Sequence, residues 1–210
     1  MRHFQQIAAG IDPLPLLHAL TLQPDLWNAN RTRTWHPQSA HRVIDDILLR
    51  YNDFDAERGD DFVERVCSDI AAVNMPAFAA LPQAVPIVFG LMARVMGEHL
   101  GRVFISRMAP GVCIPPHTDR IAPAEEAFPD KVPPAVYYQR YQCSLQTQPG
   151  VVFRVENEEV FMETGTIWWF NNRVEHEVKN FSGNDRISLV IDIRPFQPCR
   201  ASNTEPPTST

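Results

Sequence analysis

Arg186-Ile187-Ser188-Leu189-Val190-Ile191-Asp192-Ile193 reads as a strand with two unlike faces. Arg186, Ser188 and Asp192 fall on one side, and Ile187, Leu189 and Ile191 on the other, because successive side chains of a strand point to opposite faces. Similar short runs rich in Val, Ile, Phe, Tyr and Trp precede it from Gly101 onward. They lie near Arg102–Met108, Tyr138–Thr147, Val151–Val155, Glu159–Met162, Thr166–Asn171 and Glu175–Asn180. Short strands at this spacing, separated by turn residues, indicate a sandwich or barrel, and a jelly roll fits.

The first hundred residues read mostly as helix and loop. Pro13 to Leu22 suits a short helix. Asp61 to Ala72 places Phe62, Val63, Val66 and Ile70 at helical spacing behind a capping Asp. Pro86 to Leu100 opens with Pro and ends before Gly101. These helices are expected to pack outside the barrel, within one domain over 1–196 whose core is 101–196. The polar segment Asn28 to His41 reads as loop, and Gln197 to Thr210 as a disordered tail. Arg120 to Val136 holds Pro123, Pro129, Pro133 and Pro134 and forms a long irregular insert, expected to be a specificity loop.

Composition narrows the class. The 210 residues are 44% hydrophobic and 21% charged, enough to bury a core. A net charge of −6 supplies no basic field for nucleic acid. Cys67, Cys113, Cys143 and Cys199 form no Cys-x-x-Cys pair, so reduced thiols in a cytoplasm are expected rather than a zinc ribbon or disulfide scaffold. Ala71 to Ala93 carries no charge, but Pro76, Pro82 and Pro86 would break a spanning helix, so no membrane partner is expected.

Two sites of chemistry stand out. In Pro116-His117-Thr118-Asp119 the imidazole and the carboxylate are two residues apart, so an extended segment turns both to one side. His176 is the best distant partner. Two imidazoles and one carboxylate form the ligand set of non-haem Fe(II) oxygenases, although zinc accepts the same donors. Ten residues on, Arg186 on an inward face would need an anion, since an unpaired buried charge costs about 3–5 kcal/mol. Asp192 lies ~20 Å further along the strand and cannot serve. A dicarboxylate cosubstrate beside Ser188 could; otherwise Arg186 reaches solvent or pairs with Glu175 or Glu177. Arg140, Gln142 and Ser144 share a face, so Arg140 either adds charge for a carboxylate or makes a structural ion pair. Trp168 and Phe170 share a strand face that walls a pocket or fills the core.

Ser106-Arg107-Met108-Ala109-Pro110-Gly111, Ile114-Pro115-Pro116-His117-Thr118-Asp119, Gly165-Thr166-Ile167-Trp168-Trp169-Phe170-Asn171-Asn172, His176-Glu177-Val178-Lys179-Asn180 and the run from Arg186 to Pro195 occur in that order. Together they resemble the aspartyl/asparaginyl β-hydroxylase family. The resemblance implies a double-stranded β-helix (jelly-roll, cupin-like) binding Fe(II), 2-oxoglutarate and O2. It implies iron binding by His117 and His176, with Asp119 completing the set, and cosubstrate binding by Arg186, Arg140 and Ser106, with Ser188 alongside. Gln142 stands where the family often has His. Asn172 stands where some relatives have an acidic residue, and could orient a ligand only by neutral hydrogen bonds. Keeping Asp119 favours hydroxylation over halogenation. The implied reaction hydroxylates an amino acid or a peptidyl side chain, giving succinate and CO2. Open alternatives are a cupin-like metal enzyme without 2-oxoglutarate and a non-catalytic binding module. Arg31 to Trp35 and His41 to Tyr51 look vaguely like substrate-side segments of relatives, but read better as a solvated loop followed by a helix.

Overall fold

The alternation over 186–193 does form a strand, and it lies inside a large sheet. The computed structural model describes residues 1–31, 33–34, 39–52, 72–119 and 138–196. In chain order the strands are β1 (Phe4–Ala8), β2 (Asp45–Asn52), β3 (Ala72–Asn74), β4 (Gly97–Met108), β5 (Cys113–His117), β6 (Gln139–Gln146), β7 (Val151–Val155), β8 (Glu158–Val160), β9 (Ile167–Phe170), β10 (His176–Asn180) and β11 (Arg186–Pro195). One sheet has the order β1-β9-β6-β11-β4-β2-β3 and the other β5-β10-β7-β8. Neighbouring strands are antiparallel. From β4 to β11 the chain passes back and forth between the two sheets, placing four strands in each. This is a double-stranded β-helix, the jelly-roll architecture of cupin-like proteins.

Each strand of the large sheet separates two cores. Leu189, Ile191 and Ile193 of β11 join Val103, Ile105, Tyr141, Cys143 and Ile47 in a layer against the helices Leu14–Leu22, Pro76–Ala80 and Val85–Arg94. Their neighbours in sequence point between the sheets, where Phe4, Met108, Phe153, Phe170 and Val178 pack. A fully buried Leu or Ile contributes roughly 1.5–3 kcal/mol by area. The outer layer therefore holds the sheet rigid, and the inner face is left for polar side chains.

The N-terminal part differs from the expectation of helix and loop: three of its segments are strands that widen the large sheet. β2 reads Asp-Asp-Ile-Leu-Leu-Arg-Tyr-Asn. Ile47, Leu48 and Leu49 are all buried, so the strand lacks the alternation that would have revealed it. The helix expected over Pro86 to Leu100 stops at Arg94. Met96 has a φ of 52°, a left-handed residue that ends the helix before β4 starts. The described part of the uncharged stretch 71–93 holds β3 and two short helices joined by a single 3-10 turn, and no described helix is long and apolar enough to cross a membrane. Apart from Ala72, which begins β3, the helix expected over 61–72 lies outside the described residues. The Pro-rich insert and the tail from 197 also lie outside them. Cys113 and Cys143 are free thiols.

Candidate active site

β5 and β10 bring the two histidines together. His117 closes β5, His176 opens β10, and they are direct partners across the ladder. Their ring centroids are 4.3 Å apart. The register shifts between His176 and Val178, opposite Pro115 and Pro116. Prolines have no N–H for the ladder, and such irregularities re-aim side chains beside sites. Asp119 follows two residues past His117, and its backbone N–H donates to the Asn172 carbonyl at 3.0 Å. Asn172 thus orients this carboxylate through its main chain.

Hydrogen bonds set the two rings for metal binding. The Nδ1 of His117 is 2.8 Å from the Pro115 carbonyl, and that of His176 is 2.9 Å from the Val174 carbonyl. Donation from Nδ1 leaves Nε2 as the free lone pair in each neutral ring. Burial lowers the pKa of His176, outweighing the nearby Asp119 carboxylate. His117 Nε2 is buried with no hydrogen-bond partner; it lies 3.8 Å from Asp119 Oδ1, while His176 Nε2 lies 3.5 Å from Oδ2. An orphaned buried acceptor next to a carboxylate and a second imidazole is what a divalent cation satisfies. These residues fit Fe(II).

Arg140 holds the carboxylate. Its Nη1 donates to Asp119 Oδ2 at 2.6 Å, and its Nε and Nη2 donate to Asp192 at 2.7 and 2.8 Å. Burial alone would raise the Asp119 pKa, but Arg140 and the surrounding imidazoles keep the carboxyl well below the usual range. Arg140 thus takes the ion-pair alternative, with these donors committed to carboxylates rather than turned to a cosubstrate. Ser106 is similar: its hydroxyl donates to Asp46 at 2.7 Å, and Asp46 also receives Arg33 Nη1 at 2.5 Å. Gln142 Nε2 meets the Met162 sulfur at 3.4 Å. Trp168 donates to Thr166 at 2.9 Å and packs in the inter-sheet core, while Phe170 lines the pocket.

Arg186 is the opposite case. It is 4% exposed, and no hydrogen bond or ion pair reaches it from the described residues. The guanidinium carbon sits 6.0 Å from the Phe153 ring centroid. Burial pulls its pKa down to about 10. Glu177, an alternative partner, is taken by Arg154 and by Lys179 at 2.8 Å, and Glu175 is exposed. Ser188 is fully buried, and its hydroxyl also lacks a partner. Both line one pocket with His117, Asp119 and His176. That pocket encloses about 420 Å³ of atom-free space, part of it open to solvent, and Phe104, Phe153, Phe170 and Val190 wall it.

Four groups in or beside the pocket received no role in the sequence reading: Arg33 and His41 line it, and Asp46 and Asp192 hold Arg33 and Arg140. Asp192 was legible as a strand-face residue, but its partner Arg140 emerges only once β6 and β11 are placed in register. Arg33, His41 and Asp46 fall in the two N-terminal segments that only vaguely resemble substrate-side segments of relatives and that read better as a solvated loop followed by a helix. His41 packs edge to face on His117 with centroids 4.7 Å apart. Burial lowers its pKa well below the ordinary value, with Arg33 adding to the effect. One donor atom each from His41, His117 and Asp119 lies within 4.8 Å of the others, so the described residues converge on this point from three sides as well as from His176.

Comparison with known proteins gives a family and several likenesses of fold. The viral collagen prolyl hydroxylase of Paramecium Bursaria Chlorella virus-1 aligns over 93% of this chain and 97% of its own, at 10% identity and a TM-score of 0.48. A Pseudomonas putida prolyl-4-hydroxylase aligns over 92% and 93%, at 18% identity and 0.47. An oxidoreductase of the 2OG-Fe(II) oxygenase family from Burkholderia pseudomallei aligns over 72% and 67%, at 16% identity and 0.45. None of these likenesses assigns a substrate to this chain. No curated protein sequence matches it. The family model described as aspartyl/asparaginyl beta-hydroxylase matches residues 70–195, more than half of the chain. The protein therefore belongs to the aspartyl/asparaginyl β-hydroxylase family.

Proposed function

We propose that the protein is an Fe(II)- and 2-oxoglutarate-dependent dioxygenase that hydroxylates an amino acid or a peptidyl amino-acid side chain. The observation that carries this is Arg186: a buried guanidinium that, like the Ser188 hydroxyl, has no polar partner among the described residues, in the same pocket as two imidazoles and a carboxylate. A buried cation without a counter-ion is costly, and a dicarboxylate bridging from a metal to that cation removes the cost.

Bound together, the ferrous ion and 2-oxoglutarate supply oxygen activation coupled to decarboxylation, releasing succinate and CO2. The chain provides the rest. His117, Asp119 and His176 would hold the metal. Arg186 takes the far carboxylate in a charge-assisted contact, and Ser188 donates beside it. Arg140 keeps Asp119 ionised and fixed, and Asp192 fixes Arg140. Phe104, Phe153, Phe170 and Val190 exclude water from the reacting centre. The assignment of an amino-acid-like substrate rests on family membership.

The test is anaerobic addition of Fe(II) and 2-oxoglutarate to the purified chain. A weak visible charge-transfer band is expected, followed in air by succinate release. Absence of the band in wild type, or succinate release unchanged in Arg186→Met, defeats the proposal.

A further inference from the structure

His41 is the one imidazole in the pocket that the scheme above does not use. It comes from the turn before β2 rather than from a barrel strand. One donor atom of His41 lies within 4.8 Å of those of His117 and Asp119. Two donors on opposite sides of a single ion stand ~4.2 Å apart at bond lengths of ~2.1 Å. The set can therefore close on one cation with shifts under ~1 Å. His41 Nδ1 is buried with no hydrogen-bond partner, a second orphan beside that of His117. Buried polar atoms left unmet call for an explanation, and a cation between the two rings supplies one for both.

Counting coordination positions dictates the rest. A six-coordinate ion accommodates His117, Asp119, His176, the two chelating atoms of a keto acid and one oxygen atom. With all of these in place no position remains, so a fourth protein donor has to leave once the keto acid and an oxygen ligand are both bound. We propose that His41 is a displaceable fourth metal ligand, coordinating before 2-oxoglutarate binds and leaving when it arrives. The inference rests on the function proposed above.

The way each ligand is anchored agrees with this division. His117 and His176 are ladder partners with Nδ1 pinned to main-chain carbonyls, and Asp119 is held by Arg140 and by Asn172. His41 is secured at its main chain only, by its N–H on the Ser39 hydroxyl at 3.2 Å and by its carbonyl accepting from Ile44 N–H at 3.2 Å. Its ring can swing away without breaking a strand. Its presence would reduce the positions open to water or oxygen from three to two before cosubstrate is in place.

The test uses Co(II) titrated into metal-free protein, followed by its visible bands, with and without saturating 2-oxoglutarate. In His41→Ala, Co(II) affinity is expected to fall about 10-fold without 2-oxoglutarate and to match wild type with it. By linkage, the Co(II)-loaded variant should then bind 2-oxoglutarate about 10-fold more tightly. His41→Gln repeats the measurement with little loss of packing volume. Pulsed EPR of the Cu(II)-loaded wild type needs no variant: three coupled imidazoles should become two on adding 2-oxoglutarate. Unchanged Co(II) affinity in both variants, or an equal loss with and without 2-oxoglutarate, overturns the inference. A different outcome marks failure of the underlying function: 2-oxoglutarate then leaves Co(II) affinity and spectrum unchanged in every form, His41→Ala included.

Discussion

Arg140 and Arg186 project into the same barrel from neighbouring strands, and both are at most 8% exposed. Their surroundings are opposite. Arg140 lies between two carboxylates that outweigh its burial and raise its pKa. Arg186 has no such partner among the described residues, and burial pulls it down to about 10. The first guanidinium is part of the scaffold, because it locks a metal-facing carboxylate. The second is a burial cost to the fold, and in the function proposed above it serves to receive an anion. A charge built into a structure and a charge reserved for a ligand can thus be told apart by their partners, without reference to conservation.

Breaking the saturated end should have the largest effect. Asp192→Ala leaves Arg140 half paired in the interior, and is expected to cost about 3–5 kcal/mol of stability in urea unfolding. Co(II) affinity should fall in parallel as Asp119 loses its fixed position. At the other end, Arg186→Met should leave unfolding stability equal to wild type or raise it by up to about 4 kcal/mol. The same change should weaken 2-oxoglutarate binding about 30- to 4,000-fold, corresponding to about 2–5 kcal/mol, as read by calorimetry on the metal-loaded protein. If Arg186→Met destabilised as Asp192→Ala does, the distinction between the two ends would fail.

Acid should act on the saturated end through Asp119. The Asp119 pKa is held below that of the unfolded chain, so its stabilising contribution is complete above about pH 4 and is lost as pH falls from there toward the folded value. Metal-free wild type should lose about 2 kcal/mol through this group on acidification. Asp119→Asn should lose correspondingly less, which the pH dependence of urea midpoints would show. The smallest effect belongs to Ser188→Ala. Its hydroxyl has no partner to lose, so stability should change by less than about 0.5 kcal/mol. Affinity for 2-oxoglutarate should drop by about 1 kcal/mol, the worth of one hydrogen bond.

Much of the barrel was legible because its strands alternate. β11 carries its polar residues inward and its apolar residues toward the helices, and the period of two shows this directly. β2 was not legible, since Ile47, Leu48 and Leu49 are buried together and a doubly covered strand has no periodic signature. His117, Asp119, His176 and Arg186 stood out because their chemistry needs a particular spacing or an unusual burial. Asp192, Asp46 and His41 could not be read, because their meaning comes from strand register and from a turn that folds back over the pocket. The expectation for Arg140 was divided between two roles. Register with Asp192 decides between them, and that is information no single segment contains.

The direct pairing of His117 with His176 has a consequence for how the chain reaches its final form. The two residues are far apart in sequence, with β6 to β9 lying between β5 and β10 in the chain. A slip of one position in β10 would turn His176 to the opposite face. Only the properly aligned ladder can then capture a cation with both rings. Ion capture would therefore draw the population toward the aligned register by mass action, leaving slipped isomers unrewarded.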